Sequence, residues 1–254
     1  MIKNLLKLDI TKNFSTDVYN NIYDKVFNEY NKVSNKNIKK IQELYNNNRC
    51  FEVPFLENTL AWGKEKVYYP FTSILVKIID TYKGRTSVQF HPLKEENWFS
   101  LNDKTKYYDG IKWSTLPKFD GIRIPPNSIH SLEQNSFILE IQDNNLFDHK
   151  ETVRIKDFLG REVDKEEEYI KYLIPTKKGK ILRISNNEYS SNDNSFDYFI
   201  FPLDEDVTVI YDDIKYNLKK LNLYFIKKGF KNIENSNKSI CIGCKYYEKN
   251  DNLR

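Results

Sequence analysis

From residue 51 onward the chain is written in short apolar runs, each closed within a few residues by a turn signal. Phe71 to Thr81 is a nearly continuous stretch of apolar and β-branched residues, the composition of a strand buried on both faces. Lys83-Gly84-Arg85 turns it into Thr86-Ser87-Val88-Gln89-Phe90-His91-Pro92, and Asp109-Gly110, inside the polar stretch from Lys104 to Lys118, is a hairpin signal. Phe137 to Ile141 and Glu151 to Ile155 read as further strands. After a charged connection, Glu162 to Glu168, alternation resumes in Tyr198 to Phe201, Val207 to Tyr211 and Leu223 to Ile226. Strands and turns at this spacing predict an all-β core, and the 18 Tyr, 16 Phe and 3 Trp suit its packing.

The N-terminal segment has a different period. Val18, Ile22, Val26 and Tyr30 recur every four residues behind a Ser15-Thr16-Asp17 cap, which predicts a helix. Ser34 to Asn37 interrupts it, so residues 15–47 read as a helical hairpin with a packing role. With 254 residues the chain is long enough for one or two compact units. The 40 Lys and Arg residues are balanced by 36 Asp and Glu and are interleaved with them, which gives no nucleic-acid footprint. No apolar run approaches the roughly eighteen residues of a membrane span, and the N-terminus, broken by charges, lacks a signal-peptide core. The three cysteines (Cys50, Cys241 and Cys244) make no disulfide framework, so a cytoplasmic, reduced protein is expected. Cys241-Ile242-Gly243-Cys244 has the spacing of half a metal knuckle or of a redox pair. With no second pair in the chain, it reads as part of an incidental tail.

Two of the three histidines stand at the turns of the central stretch. Gln89 and His91 are two apart, so on a strand they project from one face. Glu96 follows five residues later, just before Trp98-Phe99. His130 comes after Pro125-Pro126-Asn127-Ser128, where the chain bends and presents an imidazole at the start of another strand. A lone histidine ahead of a proline is more often a solvated or hydrogen-bonded side chain than a ligand. Gln, His, Glu and His together offer oxygen and nitrogen donors of borderline hardness, suited to zinc or another divalent metal with a position left open.

These runs resemble the cupin pattern, in which two strands of a small barrel point metal ligands inward. More narrowly they resemble the type I phosphomannose isomerases. Ser87-Val88-Gln89-Phe90-His91-Pro92 is similar to that family's Ser-Val-Gln-x-His-Pro, and Lys94-Glu95-Glu96-Asn97-Trp98-Phe99 to its Lys-Thr-Glu-Cys-Trp-Tyr. Pro125 to His130 resembles its Pro-x-Gly-x-x-His turn. Leu139-Glu140-Ile141-Gln142 with Thr152-Val153-Arg154 resembles its Leu-Glu-Ile-Gln and Thr-x-Arg tract.

The resemblance implies a mainly β fold of two cupin (jelly-roll) barrels with an added N-terminal helical segment. The expected units are 1–50 (helical), 51–161 (metal-binding barrel), 162–235 (second barrel without a metal) and 236–254 (tail). It implies a divalent metal, zinc by default, on Gln89, His91, Glu96 and His130. Lys94, Glu140 and Arg154 are then the catalytic residues, with Ser87, Lys94 and Arg154 on the substrate. The small-molecule partner is a sugar phosphate, mannose 6-phosphate, interconverted with fructose 6-phosphate by moving a proton between C1 and C2. The chain departs from the family in having a single residue, Leu93, between His91-Pro92 and Lys94, where a much longer loop is usual. Two other readings stay open: a cupin that binds a sugar or sugar phosphate without turning it over, and a cupin enzyme acting on another small molecule.

Overall fold

In the computed structural model the alternating runs are strands. The structure describes residues 40, 43–68, 75–91, 94–142, 152–161, 181–183, 197–230, 232–234 and 239–244. The first strands are β1 (Cys50–Glu52), β2 (Phe55–Leu60), β3 (Gly63–Tyr68), β4 (Leu75–Asp80) and β5 (Val88–Phe90). Next come β6 (Glu96–Ser100), β7 (Lys106–Tyr108), β8 (Trp113–Thr115), β9 (Asp120–Ile124), β10 (Ser131–Leu132), β11 (Phe137–Gln142) and β12 (Val153–Lys156). The C-terminal part holds β13 (Ile181–Arg183), β14 (Asp197–Pro202), β15 (Val207–Tyr211), β16 (Ile214–Leu218), β17 (Tyr224–Ile226), β18 (Asn232–Glu234) and β19 (Ser239–Cys244). The chain is mainly β, as its alternation predicts. Of the expected helical hairpin, residues 43–47 are helical, with Leu44 and Tyr45 packed on the core, and residues 15–39 lie outside the described residues. Among the described residues no helix is long and apolar enough to cross a membrane.

A seven-stranded sheet, in the order β13-β9-β6-β11-β4-β3-β2, organises the first half. At its centre β11 pairs antiparallel with β4 and β6, setting Glu140 opposite Lys77 on one side and Trp98 on the other. Because side chains alternate across a sheet, Lys77, Glu140 and Trp98 form a row on one face, and Ile78, Leu139 and Phe99 a row on the other. The β2–β3 hairpin folds tightly against β4. A Cβ on Gly63 would lie 1.9 Å from the Asp80 carbonyl oxygen, so that position accepts only glycine. The hairpin predicted at Asp109-Gly110 joins β7 to β8, its turn closed by Asp109 Oδ1, which accepts from the Ile111 and Lys112 amides at 2.9 Å each.

The apolar face packs onto a second sheet, β1-β17-β14-β19. Val76, Ile78, Phe99, Leu139 and Ile141 share one core with Phe199, Phe201 and Phe225 of that sheet. Tyr198, Ile200, Tyr224 and Ile226, the alternate residues, enter another core with Val207, Val209 and Tyr211 of the three-stranded sheet β16-β15-β18. Where the resemblance implies a second barrel, the described residues form two sheets packed face to face. β1 pairs with β17, so Cys50–Glu52 completes a sheet built from C-terminal strands.

Residues 239–244, expected within a tail, are instead β19, paired with β14 along its whole length. The physical reason lies in β14. It is buried from end to end, and a buried strand must find hydrogen-bond partners for both of its edges. Cys241 and Cys244 take part through their backbone, and their side chains lie outside the described residues.

Candidate metal centre

The polar face of the seven-stranded sheet meets a second layer made by β5, β12 and the turn before β10. Gln89 and His130 form an antiparallel bridge, with amide-to-carbonyl distances of 2.8 and 3.0 Å, which draws the His130 turn against the His91 strand. The Pro125-to-Ser128 turn is fixed by Asn127, which adopts a φ of 62° and donates its amide to the His91 carbonyl at 2.8 Å. Left-handed backbone of this kind is tolerated by asparagine. Glu96, the first residue of β6, faces both imidazoles across the gap. One donor atom each from His91, Glu96 and His130 lies within 4.8 Å of the other two, and all three residues are buried.

Hydrogen bonding fixes the form of His130. Its Nδ1 is 2.9 Å from the Ser128 carbonyl, which can only accept, so Nδ1 carries the proton and Nε2 offers a lone pair. That Nε2 is buried without a hydrogen-bond partner and faces Glu96 Oε2 at 3.6 Å. Burial holds the His130 imidazole below the usual histidine range, against the upward pull of Glu96, which keeps it neutral. A lone pair opposed to a carboxylate in a buried space is unfavourable unless a cation stands between them. Zinc bonds of about 2.0–2.2 Å to nitrogen and oxygen suit donors at this spacing. The residues present therefore fit a divalent ion. His91 Nε2 lies 3.2 Å from Glu96 Oε1, and its Nδ1 lies 3.4 Å from Thr152 Oγ1, an outer partner that orients the ring.

Glu96 is held as a carboxylate. Burial pushes it up, but the Lys94 ammonium 2.9 Å from Oε1, with help from Lys77, outweighs burial and holds it below the ordinary carboxylate range. The Trp98 indole N–H donates to Glu96 Oε2 at 3.0 Å and lies 3.3 Å from Glu140 Oε2, bridging two carboxylates. Glu140 Oε1 is 3.4 Å from Lys77 Nζ and accepts from the Gln142 amide.

Seven of the residues expected at the site, Ser87, Gln89, His91, Lys94, Glu96, His130 and Glu140, thus fall in one hydrogen-bonded neighbourhood. Arg154 is half-buried and stands opposite Gln89 in the β5–β12 register, at the edge of that neighbourhood. Gln89 accepts from Ser87 Oγ at 2.7 Å through Oε1 and turns Nε2 toward His91 Nε2 at 3.2 Å. For Gln89 to ligate through oxygen its amide must make a half-turn. The Ser87 hydroxyl permits this, since it accepts as readily as it donates.

Sequence reasoning missed Lys77, Thr152 and the bridging role of Trp98. Lys77 carried a signal: a lysine in the middle of the run Leu75 to Ile79 is out of place in a buried strand unless something pairs with it. Thr152 stands in the Thr-x-Arg run, but nothing local ties it to a histidine 61 residues away.

No family model matches the chain. Its structure is similar to that of mannose 6-phosphate isomerase from Bacillus subtilis, with a TM-score of 0.55 at 11% identity, covering 78% of this chain and 98% of that one. An oxalate decarboxylase from Bacillus subtilis aligns with a TM-score of 0.49 at 11% identity, over 79% of this chain and 78% of that one. By sequence, mannose-1-phosphate guanylyltransferase RfbM of Salmonella typhimurium is 27% identical over 136 residues, 51% of this chain. The match spans 28% of that protein, about a quarter of its length. The chain shares the fold of the Bacillus isomerase, in line with the relationship to phosphomannose isomerases expected from its motifs.

Proposed function

We propose that this chain is a metal-dependent aldose–ketose isomerase of a sugar phosphate, with zinc as the metal and mannose 6-phosphate as the substrate. The observation that carries the reading is the placement of the lone pair of His130 against Glu96. Two buried ammonium groups, Lys77 and Lys94, and one further buried carboxylate, Glu140, stand around them. Held by Gln89, His91, Glu96 and His130 within residues 51–161, a divalent ion would supply Lewis-acid polarisation of the substrate's carbonyl and neighbouring hydroxyl oxygens.

The reaction needs a base to move a proton between C1 and C2 and a donor at the substrate's oxygens. Glu140 is the base: it takes the proton from one carbon and returns it to the other. Lys94, charged beside Glu96, donates a hydrogen bond to the oxygen where negative charge develops. Lys77, 3.4 Å from Glu140, orients it from the neighbouring strand. Arg154, on the second layer, grips the phosphate with its planar fork.

A coupled assay following fructose 6-phosphate formation tests this. Activity abolished by a chelator and restored by zinc supports the reading, and zinc-loaded protein with no turnover contradicts it. The second reading, a cupin that binds a sugar phosphate without turnover, draws on the short connection between His91 and Lys94, only Pro92 and Leu93. Binding of metal and sugar phosphate without isomerisation would favour it.

A further inference from the structure

The functional reading leaves one buried side chain of the polar row without a task. Gln142, the last residue of β11, is fully buried and stands directly opposite Glu96 in the β6–β11 register. Opposed residues on an antiparallel pair have Cβ atoms about 5 Å apart, which puts this amide beside the metal-binding glutamate. Its Nε2 donates to Glu140 Oε1. Glu140 as a carboxylate can only accept, so turning the amide over would press oxygen against oxygen, and the orientation of Gln142 is set. Its Oε1 is then left buried with no hydrogen-bond partner. An orphaned buried acceptor is costly, so a bound group that donates to it recovers that penalty.

We infer that Gln142 is a substrate-contacting residue whose Oε1 accepts a hydrogen bond from a hydroxyl of the bound sugar phosphate. The inference rests on the isomerase reading and adds a determinant of substrate choice to it. The group it selects must be an O–H donor. A phosphate or carboxylate oxygen has no proton to give, so Gln142 favours the polyol part of the substrate and turns its anionic end away. A site built to hydrogen-bond a hydroxyl rejects the analogue that lacks it, because the buried oxygen is then left orphaned again.

The test is calorimetric titration of zinc-loaded wild type and Gln142→Leu with mannose 6-phosphate and with a set of its monodeoxy analogues, alongside zinc analysis and steady-state kinetics. The expected result is about tenfold weaker binding of mannose 6-phosphate by Gln142→Leu. KM should rise with it at unchanged zinc content, and one monodeoxy analogue should bind wild type and variant equally. Gln142→Met, close in length, replaces Gln142→Leu if that variant does not fold. Equal affinity of both proteins for every sugar phosphate overturns the inference, because a trapped water then satisfies Oε1. Loss of zinc from the variant also overturns it, by making Gln142 part of the metal site. Failure of the wild type to bind any sugar phosphate overturns the isomerase reading itself, and this inference with it.

Discussion

β11 and β14 are both six-residue strands in the interior of their sheets, and both are buried along nearly their whole length. Their alternate residues differ. On β14, Phe199 and Phe201 enter one core while Tyr198 and Ile200 enter another, so both faces gain from burial, each such side chain by about 2 kcal/mol. On β11, Leu139 and Ile141 fill the shared core, but Glu140 and Gln142 look the other way, into a row with Lys77, Trp98 and Glu96. Removing charges from water costs several kcal/mol per ion before pairing repays it, and apolar replacements of such rows are often neutral or stabilising. Stability accounts for β14 and for one face of β11. On the other face Ile138 also gains from burial, in a core with Ile79, Trp98 and Ile122, but stability gives no reason for Glu140 and Gln142, and the proposed metal site does.

Substitutions on the two strands' surroundings should separate these roles. The largest effect is expected from His130→Ala, which removes a donor and the lone pair opposed to Glu96. Zinc content should fall from one equivalent to none and activity with it, while the melting temperature holds or rises; metal analysis and thermal unfolding check this. Lys94→Ala should keep zinc and lose turnover by about a hundredfold to a thousandfold in steady-state kinetics, the usual contribution of one hydrogen-bond donor aimed at developing negative charge. Phe199→Ala belongs to the packing side of the comparison. It should lower stability by about 3–5 kcal/mol in urea unfolding and leave the zinc stoichiometry of the folded fraction intact. Thr152→Val, which takes the outer partner from His91, should weaken zinc binding about tenfold to a hundredfold in competition with a chelator.

The smallest effect is one of pH on chelator-stripped protein. His130 is held below its ordinary value of 6.5, so near and below that pH the unfolded chain binds more protons than the folded one. Stability should therefore decline as pH falls through this range. In His130→Ala that decline should flatten, and an unchanged slope would mean that another group sets it.

Much of this arrangement could be read before the structure. The strand runs carried their own signals, since apolar alternation and turn residues are local properties. The donors His91, Glu96 and His130 were picked out by residue type together with their likeness to known motif runs. Pairings over long separations carried no such signal. Nothing in Cys50–Glu52, only three residues long, points to Tyr224–Ile226 as its partner. Ser239–Cys244 drew attention for its two cysteines, yet its structural part is to cover the edge of β14. Lys77 was only partly concealed. Its place in the apolar run Leu75 to Ile79 signals that something pairs with it, but only the register with β11 shows which carboxylate.

In the proposed centre, imidazole nitrogens and a carboxylate oxygen from the polar layer share one cation. X-ray absorption at the zinc edge of the zinc-loaded chain tests it most directly. A centre on His91, Glu96 and His130 gives nitrogen and oxygen donors alone at about 2.0–2.2 Å with an imidazole signature, and no bound zinc in His130→Ala. Sulfur donors at about 2.3 Å, which would move the ion to the cysteines, or no bound zinc at all, would contradict it.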